Sequence, residues 1–282
     1  MKPVNEHNIR SMVMAIDFIE THLKDPITVG DMADAVAYSI FHFCRIFNAT
    51  VHHTPYDYLM RRRLTEAAKE LTTTSRKVIE VALDYQFNSP EVFSRAFKRF
   101  LGQSPLQWKK AEAADQYMPK LTERHLIHRS QLKGIPELVS RQPFVLQGLM
   151  APILNTSDMD EAWATLHHLF PSLIEHLPSW GVYWKSRMPS VSDYYFAGVE
   201  TNEPLASDLP VSTKSFPYTR YLKWQHYGDR STLPLSLDYV YHTWQPKTDI
   251  QLTPNLRMEE ISTDGNSDTL MLWIPVQSPS KR

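Results

Sequence analysis

One pattern, occurring twice, constrains this chain more than any other feature. Ser39, Phe43, Arg45, Phe47 and Pro55 return fifty positions later as Ser89, Phe93, Arg95, Phe97 and Pro105, so SxxxFxRxFxxxxxxxP appears twice within the first 110 residues. Self-similarity at a fixed period means one supersecondary unit used more than once. The unit reads as helical. In the second copy Val78, Ile79, Val81, Ala82 and Tyr85 recur at helix spacing, and Asn88 or Ser89 offers a capping oxygen. Val92, Phe93, Ala96, Phe97 and Phe100 then form the apolar row of a second helix. Two short helices joined by a tight turn make a helix-turn-helix. Glu91, Ser94, Arg95 and Lys98 lie off the apolar row, on a face free to enter a major groove of DNA.

The first copy divides the same way: Phe43, Ile46 and Phe47 toward a core, with Phe41, Cys44, Arg45 and Asn48 on the opposite side. Arginine at 45 and 95 suits guanine through its two-donor fork, and Phe41 could meet a thymine methyl. From spacing alone, a solvated or internally paired arginine is an equal reading. Residues 55–71 form a long helix between the copies, with proline in its first turn and Tyr58, Leu59, Leu64, Ala67, Ala68 and Leu71 inward. It should hold the two readers one helical turn of DNA apart, roughly 34 Å. Arg61 and Arg62 on it, with Lys109 further on, are the expected phosphate contacts, and one member of the Arg61, Arg62, Arg63 run is expected in a buried ion pair. Ahead of the repeat, Ile9, Met12, Val13, Ile16, Ile19 and Leu23 mark a first helix ended by Pro26. Thr28 with Asp31 has the form of a capping box that opens a short helix.

These residues, above all IEVALDYQFNSPEVFSRAFKRFLGQSP, resemble the DNA-binding domain of the AraC/XylS family, two helix-turn-helix units joined by a long helix. The likeness runs from about residue 9 to residue 110. It implies double-stranded DNA as a partner, with Arg45 and Arg95 in the groove. The chain departs from the family where Ala37, His52 and Gln86 stand at positions usually held by glycine, and where Asn48 replaces a common lysine. If those three positions are left-handed, each non-glycine residue costs about 1 kcal/mol. A less stable, less basic first reader is expected.

With 282 residues the chain suits two domains. Residues 1–110 hold fifteen Lys and Arg against twelve Asp and Glu, and the remainder holds fifteen against nineteen. So small a surplus means that DNA affinity must come from local clustering of cations. The single cysteine, Cys44, excludes an intrachain disulfide, and no apolar run suggests secretion or a membrane span. The expectation is a soluble, cytoplasmic protein without membrane contact. Histidine pairs at 52/53, 125/128 and 167/168 lack carboxylate or thiolate partners at fixed offsets, so neither a metal nor a cofactor is expected.

The expected domains are residues 1–112, a linker at 113–142 that mixes charge, proline and short apolar pieces, and a second domain at 143–279. In the second domain the period changes. A strand at 144–154 is followed by a helix carrying Trp163, Leu166, Leu169, Phe170 and Ile174, with Asp158 and Glu161 as its cap. Strands follow at 180–185 and 194–200. The same order, strand, helix, strand, strand, recurs with 219–227, the helix of Leu233, Leu237, Val240, Tyr241 and Trp244, then 256–261 and 269–276. The fold class is therefore an all-α double helix-turn-helix domain followed by an α+β domain of duplicated units related by a pseudo-twofold axis.

YYFAGVE at 194–200, LKWQHYGD at 222–229 and the ending LRMEEISTDGNSDTLMLWIPV resemble the GyrI-like effector-binding domain. That likeness implies a cleft for lipophilic, often cationic, molecules, with Glu259 as its buried glutamate. Trp184, Tyr195, Trp224 and Trp244 are the aromatic candidates beside it, from a pool that also includes Trp180, Trp273 and Tyr227. A carboxylate among aromatic rings would attract a delocalised cation. Core packing is the competing reading for each ring, and Glu260 points the other way on its strand. The function expected is a DNA-binding transcription regulator, not an enzyme, whose second domain senses a small-molecule effector and alters promoter binding or contact with RNA polymerase. The alternatives are a hydrolase using the pocket glutamate, against which stands the absence of a nucleophile elbow, phosphate loop or paired catalytic carboxylates, and a second domain that docks a protein.

Overall fold

The computed structural model describes residues 6–110, 117–186, 191–205, 210–261 and 269–277. The expected boundary at 112/113 and residues 262–268 of the closing motif lie outside the described residues. The chain divides into two units at Gln131/Leu132. The first contains α1 (Glu6–Thr21), α2 (Val29–Asp34), α3 (Ile40–Val51), α4 (Pro55–Thr73), α5 (Val78–Asp84), α6 (Pro90–Leu101), α7 (Pro105–Lys110) and α8 (Glu123–Gln131).

Each helix of the repeat starts where its sequence says it should. Ser39 Oγ accepts from the His42 amide and Ser89 Oγ from the Val92 amide, so α3 and α6 share one N-cap. Thr28 and Asp31 form the capping box on α2. Thr54 caps α4, and Pro55 fills the first-turn position, where a missing amide hydrogen does no harm. The cores of the copies agree closely. Phe43 and Phe47 lie 5.3 Å apart at 57°, and so do Phe93 and Phe97. Phe47 meets Tyr58 edge-on at 5.9 Å, and Phe97 meets Trp108 at the same distance. Ala37, His52 and Gln86 are all left-handed, with φ of 56°, 61° and 63°. His52 ends α3 in the conformation that Gly102, φ 77°, adopts at the end of α6.

The stretch expected as a linker differs from that expectation. Met118, Leu121 and Leu126 are buried in the core of the first unit, and Arg129 reaches the Val51 carbonyl oxygen. The Tyr58 hydroxyl accepts from the Leu121 amide at 3.3 Å. The buried apolar residues here fall at spacings of three and five, which no single helical row produces, and charged residues between them hide the signal.

The second unit holds β1 (Glu137–Arg141), β2 (Phe144–Ile153), α9 (Thr156–Leu169), α10 (Pro171–His176), β3 (Ser179–Trp184), β4 (Asp193–Glu200), β5 (Ser212–Phe216), β6 (Thr219–Tyr227), α11 (Leu233–Tyr239), β7 (Leu256–Ile261) and β8 (Thr269–Pro275). The strands make one antiparallel sheet in the order β1-β6-β8-β7-β3-β4-β2-β5. Two strands, β1 and β5, are additional to the expected set. The cap of α9 is Asn155, with Asp158 as its reciprocal partner three residues on, and Pro171 separates α9 from α10. After α11 the helix widens to a π turn over Val240–Trp244.

Strand alternation sorts the side chains onto two faces. One face carries Tyr195 and Ala197 under Leu166 of α9, and Leu222, Trp224 and Ile274 beside Val240. The other carries Phe144, Trp180, Phe196, Tyr221, Met258 and Trp273. There the Arg141 guanidinium lies 4.1 Å from the Phe144 ring, 4.3 Å from Trp180 and 5.3 Å from Trp273, and pairs with Glu200. An arginine stacked on indole and phenyl faces keeps its charge favourably placed while its stem fills an aromatic core. Among the described residues no helix is long and apolar enough to cross a membrane.

Candidate nucleic-acid interface and second-domain cleft

Burying Phe43 and Phe47 turns the opposite side of α3 outward, and Phe93 and Phe97 do the same for α6. Phe41 is 81% exposed, an uncommon state for phenylalanine and inconsistent with a core role. Arg45 and Asn48 are exposed and Cys44 is half-buried. The Arg45 guanidinium reaches His42 Nδ1 at 3.2 Å. On α6, Glu91, Arg95 and Lys98 are exposed and Ser94 is half-buried. Glu91 is engaged at the helix start: its hydrogen bond with Ser89 lowers its pKa first, then the helix backbone, then Arg95. Among the described residues neither Arg95 nor Lys98 has an acid within ion-pair distance, so both charges face solvent. Arg99, also exposed, joins them; its place off the apolar row was visible in the spacing and went unread.

The three residues expected to touch phosphate are engaged by other groups of the protein, Arg62 buried and Arg61 and Lys109 half-buried. Arg62 is 3% exposed and forms a buried network, with Nε 2.7 Å from Glu20, Nη2 2.7 Å from Glu66, and Nη1 on the Met118 carbonyl. It is the member of the arginine run that is held in a buried ion pair. Arg61 binds Asp57 at 2.8 Å and lies over the Phe100 ring at 5.3 Å. Lys109 Nζ donates to the Arg76 carbonyl oxygen at 2.7 Å. Arg63, expected partly outward, is buried and donates to the carbonyls of Leu23 and Asp25. Asp57 and Glu66 lie four residues from Arg61 and Arg62 on the same helix, but Glu20, Met118, Leu23, Asp25 and Arg76 are distant partners that a helical wheel cannot show.

In the second unit Glu259 is 0% exposed, on the helix-covered face. Tyr195 Oη donates to Glu259 Oε2 at 2.9 Å and accepts from Trp163 Nε1 at 3.0 Å. Gly181 stands directly across from Glu259 on β3, and its missing side chain makes room for this contact. A Cβ there would lie 2.0 Å from Tyr195 Oη. Burial, followed by the charge of Glu259, drives the Tyr195 pKa well above its ordinary value, so the phenol stays a donor. Two arginines complete the cluster. Arg230 Nη2 lies 3.4 Å from Oε2, and Arg257 Nε lies 3.4 Å from Oε1. Burial opposes the charge on Arg230, but Tyr195, Glu259 and Asp160 raise its pKa.

Above this cluster opens a cleft of about 350 Å³ lined by the apolar side chains of Ile153, Met159, Leu233 and Leu237 and by Tyr183, Asp193, Arg230 and Arg257. Of the five residues expected to bind an effector, the structure brings together Glu259 and Tyr195, both beneath this cleft. The remaining three lie elsewhere. Trp184 stacks on Phe216 on the other face. Trp224 is buried beside Tyr239, and Trp244 packs against the same cluster. Neither arginine was anticipated. Arg257 was legible as the residue two before Glu259 on one strand, hence on one face; Arg230, from the turn after β6, was not. Glu260 does point the other way, accepting from Trp273 Nε1 at 2.9 Å.

A family model described as a helix-turn-helix domain matches residues 32–111. The regulatory protein SoxS of Escherichia coli (strain K12) is 34% identical over 94 residues, covering 33% of this chain and 88% of SoxS. The chain belongs to the AraC family of helix-turn-helix transcription regulators. The HTH-type transcriptional activator AarP of Providencia stuartii is 42% identical to this AraC-family chain over 88 residues, 31% of the chain and 65% of AarP, a little under two thirds of that relative's length. Among solved structures, that of SAV2435 bound to tetraphenylphosphonium overlaps with a TM-score of 0.41 at 12% identity, covering 51% of this chain and 95% of that one.

Proposed function

We propose that this AraC-family regulator reads double-stranded DNA with α3 and α6 and adjusts its activity to a small molecule held in the cleft of its second domain. The observation that carries the first half is the pair of exposed arginines, Arg45 and Arg95, at equivalent positions of two helices with matching cores. In this reading Phe41, Cys44, Asn48, Ser94 and Lys98 border the groove, and α4 sets the reader spacing. The second half rests on a cleft that combines apolar side chains with a few polar ones, as small-molecule sites do. The strand order supports two duplicated strand-helix-strand-strand units, since β2-β4-β3 and β6-β8-β7 mirror each other about the β3/β7 pair. RNA polymerase is the further partner this role calls for.

Glu259, held by Tyr195 and two arginines, is poorly placed to act as a base, which favours a sensor over a hydrolase. An effector acts on DNA occupancy only through its preference for one state of the protein. Arg95→Ala is expected to weaken specific DNA binding by about 1–3 kcal/mol with the fold intact, and log affinity should fall steeply with log salt. Gel retardation on a cognate promoter checks both. Equal retardation of parent and variant, or a flat salt plot, would remove the reading.

A further inference from the structure

We infer that the cleft of the second domain takes an amphipathic anion, a carboxylate on an aromatic or aliphatic body. This rests on the reading that the domain senses a small molecule. A lipophilic cation would need an accessible carboxylate, and Glu259 is buried behind the groups that line the cleft. A ligand entering the cleft meets the guanidinium groups of Arg230 and Arg257 first, and each already lies within 3.4 Å of a Glu259 oxygen. The buried carboxylate of Glu259 is thereby matched from within.

The remaining acids are occupied or distant. Asp193 also lines the cleft and keeps its charge, but one of its oxygens accepts from Tyr183 Oη and the other from the Ser186 amide at 2.8 Å, which directs the carboxylate toward its own strand ends and leaves the guanidinium groups as the donors a ligand meets. Asp160 pairs with Arg230 at 3.0 Å, but its side chain is 70% exposed and its charge is shared with water. Arg230 Nε is buried and has no hydrogen-bond partner among the described residues. A buried donor without an acceptor is unfavourable, and a ligand carboxylate would supply the acceptor. Arg257 is stacked over the Tyr183 ring at 3.7 Å, which fixes the plane of its guanidinium at the cleft wall. Ile153, Met159, Leu233 and Leu237 are left to cover the apolar body.

The test uses the full-length chain and three matched probes: 2-naphthoate, 2-naphthylmethanol and 2-naphthylmethylammonium. They share a ring system and differ in charge. Calorimetric titration should show the carboxylate binding at least tenfold tighter than the alcohol, with the ammonium weakest. The triple variant Arg230→Gln/Arg257→Gln/Glu259→Gln, which leaves neither guanidinium at the cleft and no buried carboxylate unpaired, should bring carboxylate and alcohol within threefold of each other. Tightest binding by the ammonium, or a carboxylate preference that survives in the triple variant, would overturn the anion assignment and leave the sensing role standing. If none of the three probes binds, the sensing role falls with it.

Discussion

His53 shows how one buried side chain ties the stability of the first unit to pH. Its Nδ1 lies 2.7 Å from Asp57 Oδ2, and its side chain is fully enclosed. Because a carboxylate only accepts, the imidazole donates its Nδ1 hydrogen. Burial, more than any other influence, pushes the His53 pKa from 6.5 down to about 4, and Asp57 is held at about 2 by its hydrogen bonds to His53 and Arg61, which outweigh the burial that would raise it. The unfolded chain therefore takes up a proton near pH 6.5 that the folded chain refuses until about pH 4. Stability should be unaffected by His53 above pH 6.5 and should fall as pH drops through that window, by roughly 3 kcal/mol in all. Thermal melts from pH 7.5 to 4.5 measure this, with His53→Leu as the comparison; identical slopes in both proteins would refute the assignment.

At the scale of elements, the two readers are one design with different terminations. Gly102 ends α6 with open space where a side chain would go, so Gly102→Ala meets conformational strain alone and should lower stability by about 1 kcal/mol. Ala37 is exposed with φ of 56°, and Ala37→Gly should raise stability by a similar amount. Urea midpoints report both, and changes of the same sign would contradict the backbone explanation. Caps of this kind were legible because each depends on residues within four positions of one another: Ser39, Ser89, and Thr28 with Asp31; the left-handed positions at Ala37, His52 and Gln86 came from the family resemblance. The cap of α9 was misplaced by three residues. Asp158 belongs to the box, but as the residue that accepts from the Leu154 and Asn155 amides.

For the whole molecule, the end of the first unit determines what can fold without the rest. A chain ending at residue 131 should keep the melting transition of the reader unit. One ending at residue 112 loses the burial of Met118, Leu121 and Leu126, together with the contacts to Arg62, Tyr58 and Val51. That should cost about 5 kcal/mol, and calorimetry of the two chains would show it as a markedly lower transition. By itself, the sequence determined the repeat, the helices it caps and six of the eight described strands of the second half, because periodicity and capping are local; the inward place of Glu259 came from the family resemblance. Only the tertiary structure decided which charges are available. Arg61, Arg62, Arg63 and Arg95 carry the same group, yet Glu20, forty-two positions from Arg62, takes that arginine into the core while Arg95 stays in water. Likewise Arg230 comes from a distant turn to neutralise Glu259. A long charged side chain chooses its partner by proximity after packing, and nothing in a short window of residues records that choice.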